Sequence, residues 1–264
     1  MKNLIFLISY LLILASCKDT HELSTLNTVY LNTKIGNVSG GNAVKLFDIA
    51  ADTVNNKIYV QSIVAPHVAV IDADSGELEK YIDTEIDGYH LSRMAVHTSS
   101  GNLFIADETS QKLIKIDTTN NTKTNDEFNF KEEYGSSANP GRIAVHNGEG
   151  LVIVSLCNQN KLVFIDVSTM KAEKVLDVDD GIYCPKGIKV RNEKIYVALS
   201  RDRAENYEGD SGNSAVAIID PSDWSVNHFS VPYKGAEEIA VDAANGRYWL
   251  LSSNRLRFVD EEGN

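Results

Sequence analysis

The chain has 264 residues, with 25 Lys and Arg against 37 Asp and Glu, for a formal net charge of −12. A surface that negative repels phosphate backbones, and no Lys/Arg cluster interrupts it, so nucleic acid is excluded as a partner class. The three cysteines, Cys17, Cys157 and Cys184, rule out a disulfide-dense small scaffold and leave at most one internal bridge if Cys17 is otherwise committed.

In chain order the first element is a leader. Lys2 gives a basic start, the stretch from Leu4 to Leu14 is apolar but for Ser9, and Ala15-Ser16 precede Cys17. Eleven residues span roughly 17 Å as a helix, well short of the ~30 Å hydrocarbon core, so the pattern is that of a signal peptide rather than a permanent membrane span. Leu14-Ala15-Ser16-Cys17 resembles the lipobox of bacterial lipoproteins. The resemblance implies cleavage after residue 16 and a lipidated Cys17 that ties a soluble domain to a membrane, since several acyl chains hold where one does not. Lys18-Asp19 is similar to the short charged tract that sends some Bacteroidetes-type lipoproteins to the cell surface. The expected location is therefore the cell envelope, anchored to the outer membrane on its periplasmic or its outer side. Removing residues 1–16 takes away one charged residue, Lys2, and leaves a net charge of −13. Residues 17–27 read as a linker and residues 28–264 as the folded domain.

Five copies of one pattern fill that domain. A first strand begins at Ile49, Met94, Ile143, Ile188 and Ile239, and an Asn- or Gly-rich turn follows each (Asn55-Asn56, Gly101-Asn102, Gly148, Asn192, Asn245-Gly246). Second strands read KIYV from Lys57, NLFI from Asn102, LVIV from Leu151, KIYV from Lys194 and RYWL from Arg247. Third strands end in aspartate at 72, 117, 166, 220 and 260. Tyr59 to Asp72, Phe104 to Asp117 and Ile153 to Asp166 are each 13 positions apart, whereas Tyr196 to Asp220 is 24 and Trp249 to Asp260 is 11. One loop, Ser200–Ser214, has therefore grown. Fourth strands follow the first four copies, as in Glu79–Ile82 and Lys174–Asp177. Units of about 45 residues with four strands each predict an all-β fold, a β-propeller of four-stranded antiparallel blades. The recurrent aspartate is expected to set the turn into strand four, and His97 and His146 are expected to be solvated hairpin residues.

Stretches such as NPGRIAVHNGEGLVIVSL and NEKIYVALS resemble the YVTN and NHL families of propeller repeats over roughly residues 45–260. The fifth copy stops after strand three. Two arrangements fit: a five-bladed ring whose last blade borrows Thr28–Leu31 as its outer strand, or a portion of a six- or seven-bladed propeller.

In such a fold the loops from strand two to three, and from strand four to the next strand one, emerge on one face around the channel mouth. Each inter-blade loop carries one tyrosine, Tyr89, Tyr134, Tyr183 or Tyr233, and the long loop adds Tyr207. Tyrosine suits the capture of glycans, ring compounds or protein surfaces, and equally the anchoring of loops against neighbouring blades. Asp48, Arg93, Arg142, Lys186 and Glu238 stand just before the inner strands. The expected ligand-binding set is Tyr89, His90, Arg93, Tyr134, Arg142, Tyr183, Lys186, Tyr207 and Tyr233. No GxSxG, HExxH, CxxCH or P-loop motif is present, and no metal or cofactor is implied. The reading is a non-enzymatic binding lipoprotein for a small molecule, glycan or protein, with an outer-membrane transporter as a partner by analogy. The alternative, by resemblance to streptogramin-type lyases and gluconolactonase-like enzymes, is a lyase or hydrolase using His90 near Arg93 and Glu237. Cys157 and Cys184 fall in mouth loops at one junction, so they read either as a disulfide or as two buried thiols.

Overall fold

The computed structural model describes residues 46–62, 66–86, 92–178, 184–201, 213–252 and 255–260. Five antiparallel sheets follow the five copies. The first blade is β1 (Leu46–Asp52), β2 (Lys57–Ser62), β3 (His67–Asp72) and β4 (Leu78–Asp83); the second is β5 (Ser92–His97), β6 (Asn102–Asp107), β7 (Lys112–Asp117) and β8 (Thr122–Asn129). The third is β9 (Pro140–His146), β10 (Leu151–Leu156), β11 (Lys161–Asp166) and β12 (Ala172–Asp177), and the fourth is β13 (Cys184–Arg191), β14 (Lys194–Ser200), β15 (Ala215–Asp220) and β16 (Ser225–Ser230). The fifth has three strands among the described residues, β17 (Ala236–Asp242), β18 (Arg247–Ser252) and β19 (Arg255–Asp260). Thr28–Leu31 lie outside the described residues.

Turn chemistry sets the meanders. The first hairpin of each blade turns on positive φ, at Asn56, Gly101, Gly150, the Asn192-Glu193 pair and Gly246; in the third blade it is Gly150 rather than Gly148. The aspartates closing strand three accept backbone N–H groups two or three residues on: Ser75 to Asp72 at 2.9 Å, Thr119 to Asp117 at 2.7 Å, Thr169 to Asp166 at 2.7 Å and Ser222 to Asp220 at 3.0 Å. These are Asx-type turns, which explains why the residue recurs.

The blades are held face to face by alternation. The inner strands pack in series, β1 on β5, β5 on β9, β9 on β13 and β13 on β17. Alternate residues of each second strand then point to the blade before and the blade after. Leu103 and Ile105 join Tyr59 and Val70 between the first two blades, while Phe104 joins Val152 and Val154 between the second and third. Ile153 meets Val197 between the third and fourth, and Tyr196 meets Tyr248 and Leu250 between the fourth and fifth. The third residue of strand two therefore always faces the following blade. Tyr59, Phe104, Ile153 and Tyr196 are at most 6% exposed there, but the equivalent Trp249 is 42% exposed. Leu256 shows the same contrast at 65%, against 0% for its equivalents Val68, Leu113, Leu162 and Val216.

His97 and His146 are corrected by the structure. Both are buried rather than solvated. Each ends its first strand and accepts the N–H three residues on at Nδ1, from Ser100 at 3.2 Å and Glu149 at 3.1 Å, the job that Asp52 Oδ1 does for the Asn55 N–H. His146 Nε2 also reaches the Glu193 carbonyl of the next blade at 3.1 Å. The reason is geometric: the hairpin at the lower end of an inner strand is covered by the adjacent blade.

Two outcomes are expected. Phe104→Ala should cost about 3–5 kcal/mol by urea denaturation, and Trp249→Ala less than half as much despite the larger side chain, because only the first opens a closed interface. Burial holds the His97 imidazole below its ordinary value, so the folded state disfavours its protonation more than the unfolded chain does. That contribution to stability is complete above about pH 6.5 and is lost as pH falls through the lowered folded value. Denaturation midpoints measured at pH 7.5 and 5 should separate, and His97→Gln should narrow the gap.

Candidate functional site: the channel mouth

The ladders align one position per blade at the upper end of the inner strands: Asp48 opposite Gln61, Arg93 opposite Ala106, and Glu238 opposite Leu251. In the third blade that position is Arg142, whose N–H donates to Ser155 Oγ at 2.8 Å. In the fourth it is Gly187 and not Lys186, since Gly187 directly precedes Ile188, the partner of Val197, as Arg93 directly precedes Met94, the partner of Ile105. Glycine is required there: a Cβ would lie 2.6 Å from Glu238 Cα and 2.8 Å from Ile239 N.

The charged groups at this level are not a set of independent solvated side chains. Asp48 is buried, accepts the Met94 N–H at 2.7 Å and lies 3.8 Å from Arg93 Nη1, tying the first blade to the second. The Arg93 guanidinium stacks 4.3 Å over the Phe47 ring. Arg142 Nη1 meets Glu238 Oε1 at 2.7 Å, an ion pair from the third blade to the fifth. Burial raises the Asp48 carboxyl above its ordinary value, opposed by Arg93 and the Met94 N–H and reinforced by Glu238. Glu108, in the β6–β7 turn, is likewise raised, by burial first and then by Asp107, with Lys186 of the fourth blade acting the other way. Asp48, Arg93, Arg142 and Glu238 thus form one mixed-charge group around the mouth.

No sequence-family profile matches the chain, and no curated protein sequence matches it significantly. Solved structures do match. The Cps50 (Swd1) β-propeller domain of Myceliophthora thermophila aligns with a TM-score of 0.63 at 11% identity, over 83% of this chain and 66% of that one. The Dos1 propeller aligns at 0.60 and 14% identity, over 78% and 52%, and a nidogen/laminin complex at 0.58 and 12%, over 82% and 76%. The fold is a β-propeller. At these identities the likeness is one of fold, and the chain spans slightly less than two thirds of the Swd1 domain's length.

Within the propeller, the predicted tyrosines separate from the predicted charges. Tyr134 ends a short helix, Phe130–Tyr134, and is half-buried against the core between the second and third blades; its ring is 6.2 Å from Phe128 and its carbonyl accepts Gln159 Nε2 at 2.9 Å. Tyr233 packs on the core between the fourth and fifth blades, with the Arg257 guanidinium 4.6 Å over its ring. Both therefore act as loop anchors. Tyr89, His90, Tyr183, Tyr207 and Cys17 lie outside the described residues. Gln61 and Glu108 were missed by the sequence reading; Gln61 sits where other blades carry Ala, Ser or Leu, the one signal that marked it.

Cys157 opens a 3-10 turn after β10, Cys184 begins β13, and the two form a disulfide with Cα atoms 4.5 Å apart. It joins the third and fourth blades at the mouth, 27 positions apart in sequence. Replacing both cysteines by serine should lower stability by roughly 3–4 kcal/mol in the chain-entropy model. Urea melts with and without reductant check this, and the reductant effect should vanish in the double variant.

Proposed function

We propose that this chain is a non-enzymatic binding lipoprotein of the cell envelope, whose propeller captures a ligand at the channel mouth. The observation that carries the reading is the mixed-charge group: Arg93 and Arg142 meet Asp48 and Glu238 at one level of the channel, one residue beyond Lys186 in the chain order of the fourth blade, in a chain of net charge −12. Charged side chains held partly out of water at a concave mouth supply directional recognition, whereas scattered surface charges do not. Support for the location comes from the lipobox-like Leu14–Cys17 and from the Cys157–Cys184 bridge, which suits an oxidising compartment. An outer-membrane transporter as the receiving partner fits a lipid-anchored capture protein.

Two measurements test the reading. Labelled fatty acid should be incorporated into the wild-type chain in a bacterial host and not into Cys17→Ser, which should appear in the soluble fraction; label retained by Cys17→Ser would overturn the anchor. In a thermal-shift screen of small molecules and oligosaccharides, Arg93→Ala combined with Lys186→Ala should abolish the stabilisation seen for wild type. Ligand shifts unchanged in that double variant would place binding elsewhere, and steady turnover of a lactone or cyclic depsipeptide would replace capture by catalysis.

A further inference from the structure

Strand three and strand four pair by one rule in the first four blades. The second residue of strand three, Val68, Leu113, Leu162 or Val216, stands opposite an apolar residue of strand four, Ile82, Phe128, Leu176 or Phe229. That residue joins the cluster holding the third residue of its own strand two, so Tyr59, Val68 and Ile82 pack together, as do Phe104, Leu113 and Phe128. The next position is polar and follows its partner: Asp83, Asn129 and Asp177 face the basic His67, Lys112 and Lys161, whereas Ser230 faces Ala215. In the fifth blade β19 opens with Arg255-Leu256, both exposed, and its outer edge carries no fourth strand among the described residues. The rule calls there for a strand that ends in an apolar residue followed by Asp or Asn.

We propose that Thr28–Asn32 is that strand, docked antiparallel on the edge of β19 with Leu31 opposite Leu256 and Asn32 opposite Arg255. The segment reads TVYLN, β-branched and aromatic residues ending in Leu-Asn, and its last three residues match Tyr81-Ile82-Asp83 of the first blade in kind. In this register Val29 faces Phe258, and Leu31 completes with Trp249 and Leu256 the trio that each preceding blade builds. The edge N–H and C=O groups of β19 gain backbone partners at the same time. Length fits as well. Five to ten residues join strand four to the next inner strand elsewhere, from 231–235 at the shortest to 130–139 at the longest, and residues 33–45 supply thirteen before β1. Thirteen residues reach up to roughly 45 Å when extended. Thr28 falls opposite Val259, at the end of the blade away from the mouth. Where Cys17 carries the anchor proposed above, its tether therefore leaves from the side opposite the binding site.

The test uses the full chain carrying Cys17→Ser for solubility. Facing residues of an antiparallel pair have Cα atoms about 4.5–5.5 Å apart, within reach of a disulfide. Asn32→Cys combined with Arg255→Cys should therefore oxidise to a 32–255 link within one chain, read by peptide mapping of the unreduced monomer. Asn27→Cys combined with Arg255→Cys places a cysteine at the other Leu-Asn of the same segment and should not. Independently, Leu31→Asp should lower the melting temperature by about 4 °C or more, whereas Leu26→Asp should leave it unchanged. Absence of the 32–255 link, a 27–255 link in its place, or a melting temperature indifferent to Leu31→Asp would overturn the docking. A 32–255 link found only between two chains would overturn it too, by giving the strand to a second copy. None of these readouts depends on what the mouth binds, so their failure would leave the binding function standing.

Discussion

Every structural feature of this propeller depends on one constraint: an alternating strand has two apolar faces, and each must be covered by a neighbouring sheet. Leu103 and Phe104 are adjacent in sequence yet serve different interfaces, the first toward blade one and the second toward blade three. Neither blade is stable alone, because a four-stranded sheet exposing both faces gains too little burial to offset chain entropy. Stacking in series solves this for four interfaces. On the fifth blade Trp249, Leu256 and Phe258 form a row that the described residues leave exposed.

The radial stack also determines the electrostatics of the mouth. Inner strands converge, so side chains at one ladder position come from every blade into a small volume with limited access to water, where charges interact more strongly than on an open surface. Asp48 can then be buried with Arg93 and the Met94 N–H as its partners. Glu238 can reach a guanidinium two blades away only because Gly187 keeps the intervening strand bare. A convergent scaffold thus makes contacts that no pair of adjacent strands offers.

The lower end of the channel uses the convergence differently. Asp52, His97 and His146 each accept the N–H three residues ahead, and the same closeness that hides the hairpins buries the imidazoles. Side chains that look interchangeable as turn acceptors consequently differ in their response to acid: Asp52 is held below its ordinary value by the Asn55 donors against the opposing effect of burial, whereas His97 is held low by burial itself.

Local chemistry was legible in the sequence because it repeats: period-two apolar residues, the turn residues at Asn56 and Asn192, and the aspartates closing each third strand specify four-stranded meanders without reference to anything distant. The approach of Cys157 to Cys184 was also legible as a possibility, since both flank the same junction. Tertiary structure alone decided which charges meet. Arg142 and Glu238 are far apart in the chain and on non-adjacent blades, and only the angle at which blades pack brings their tips to 2.7 Å. It likewise packed Tyr134 and Tyr233 against the cores between blades. Strand and turn identity follow from each residue's own backbone preferences and its near neighbours, whereas a site at a convergence of five sheets depends on small angles and register offsets that no local pattern encodes.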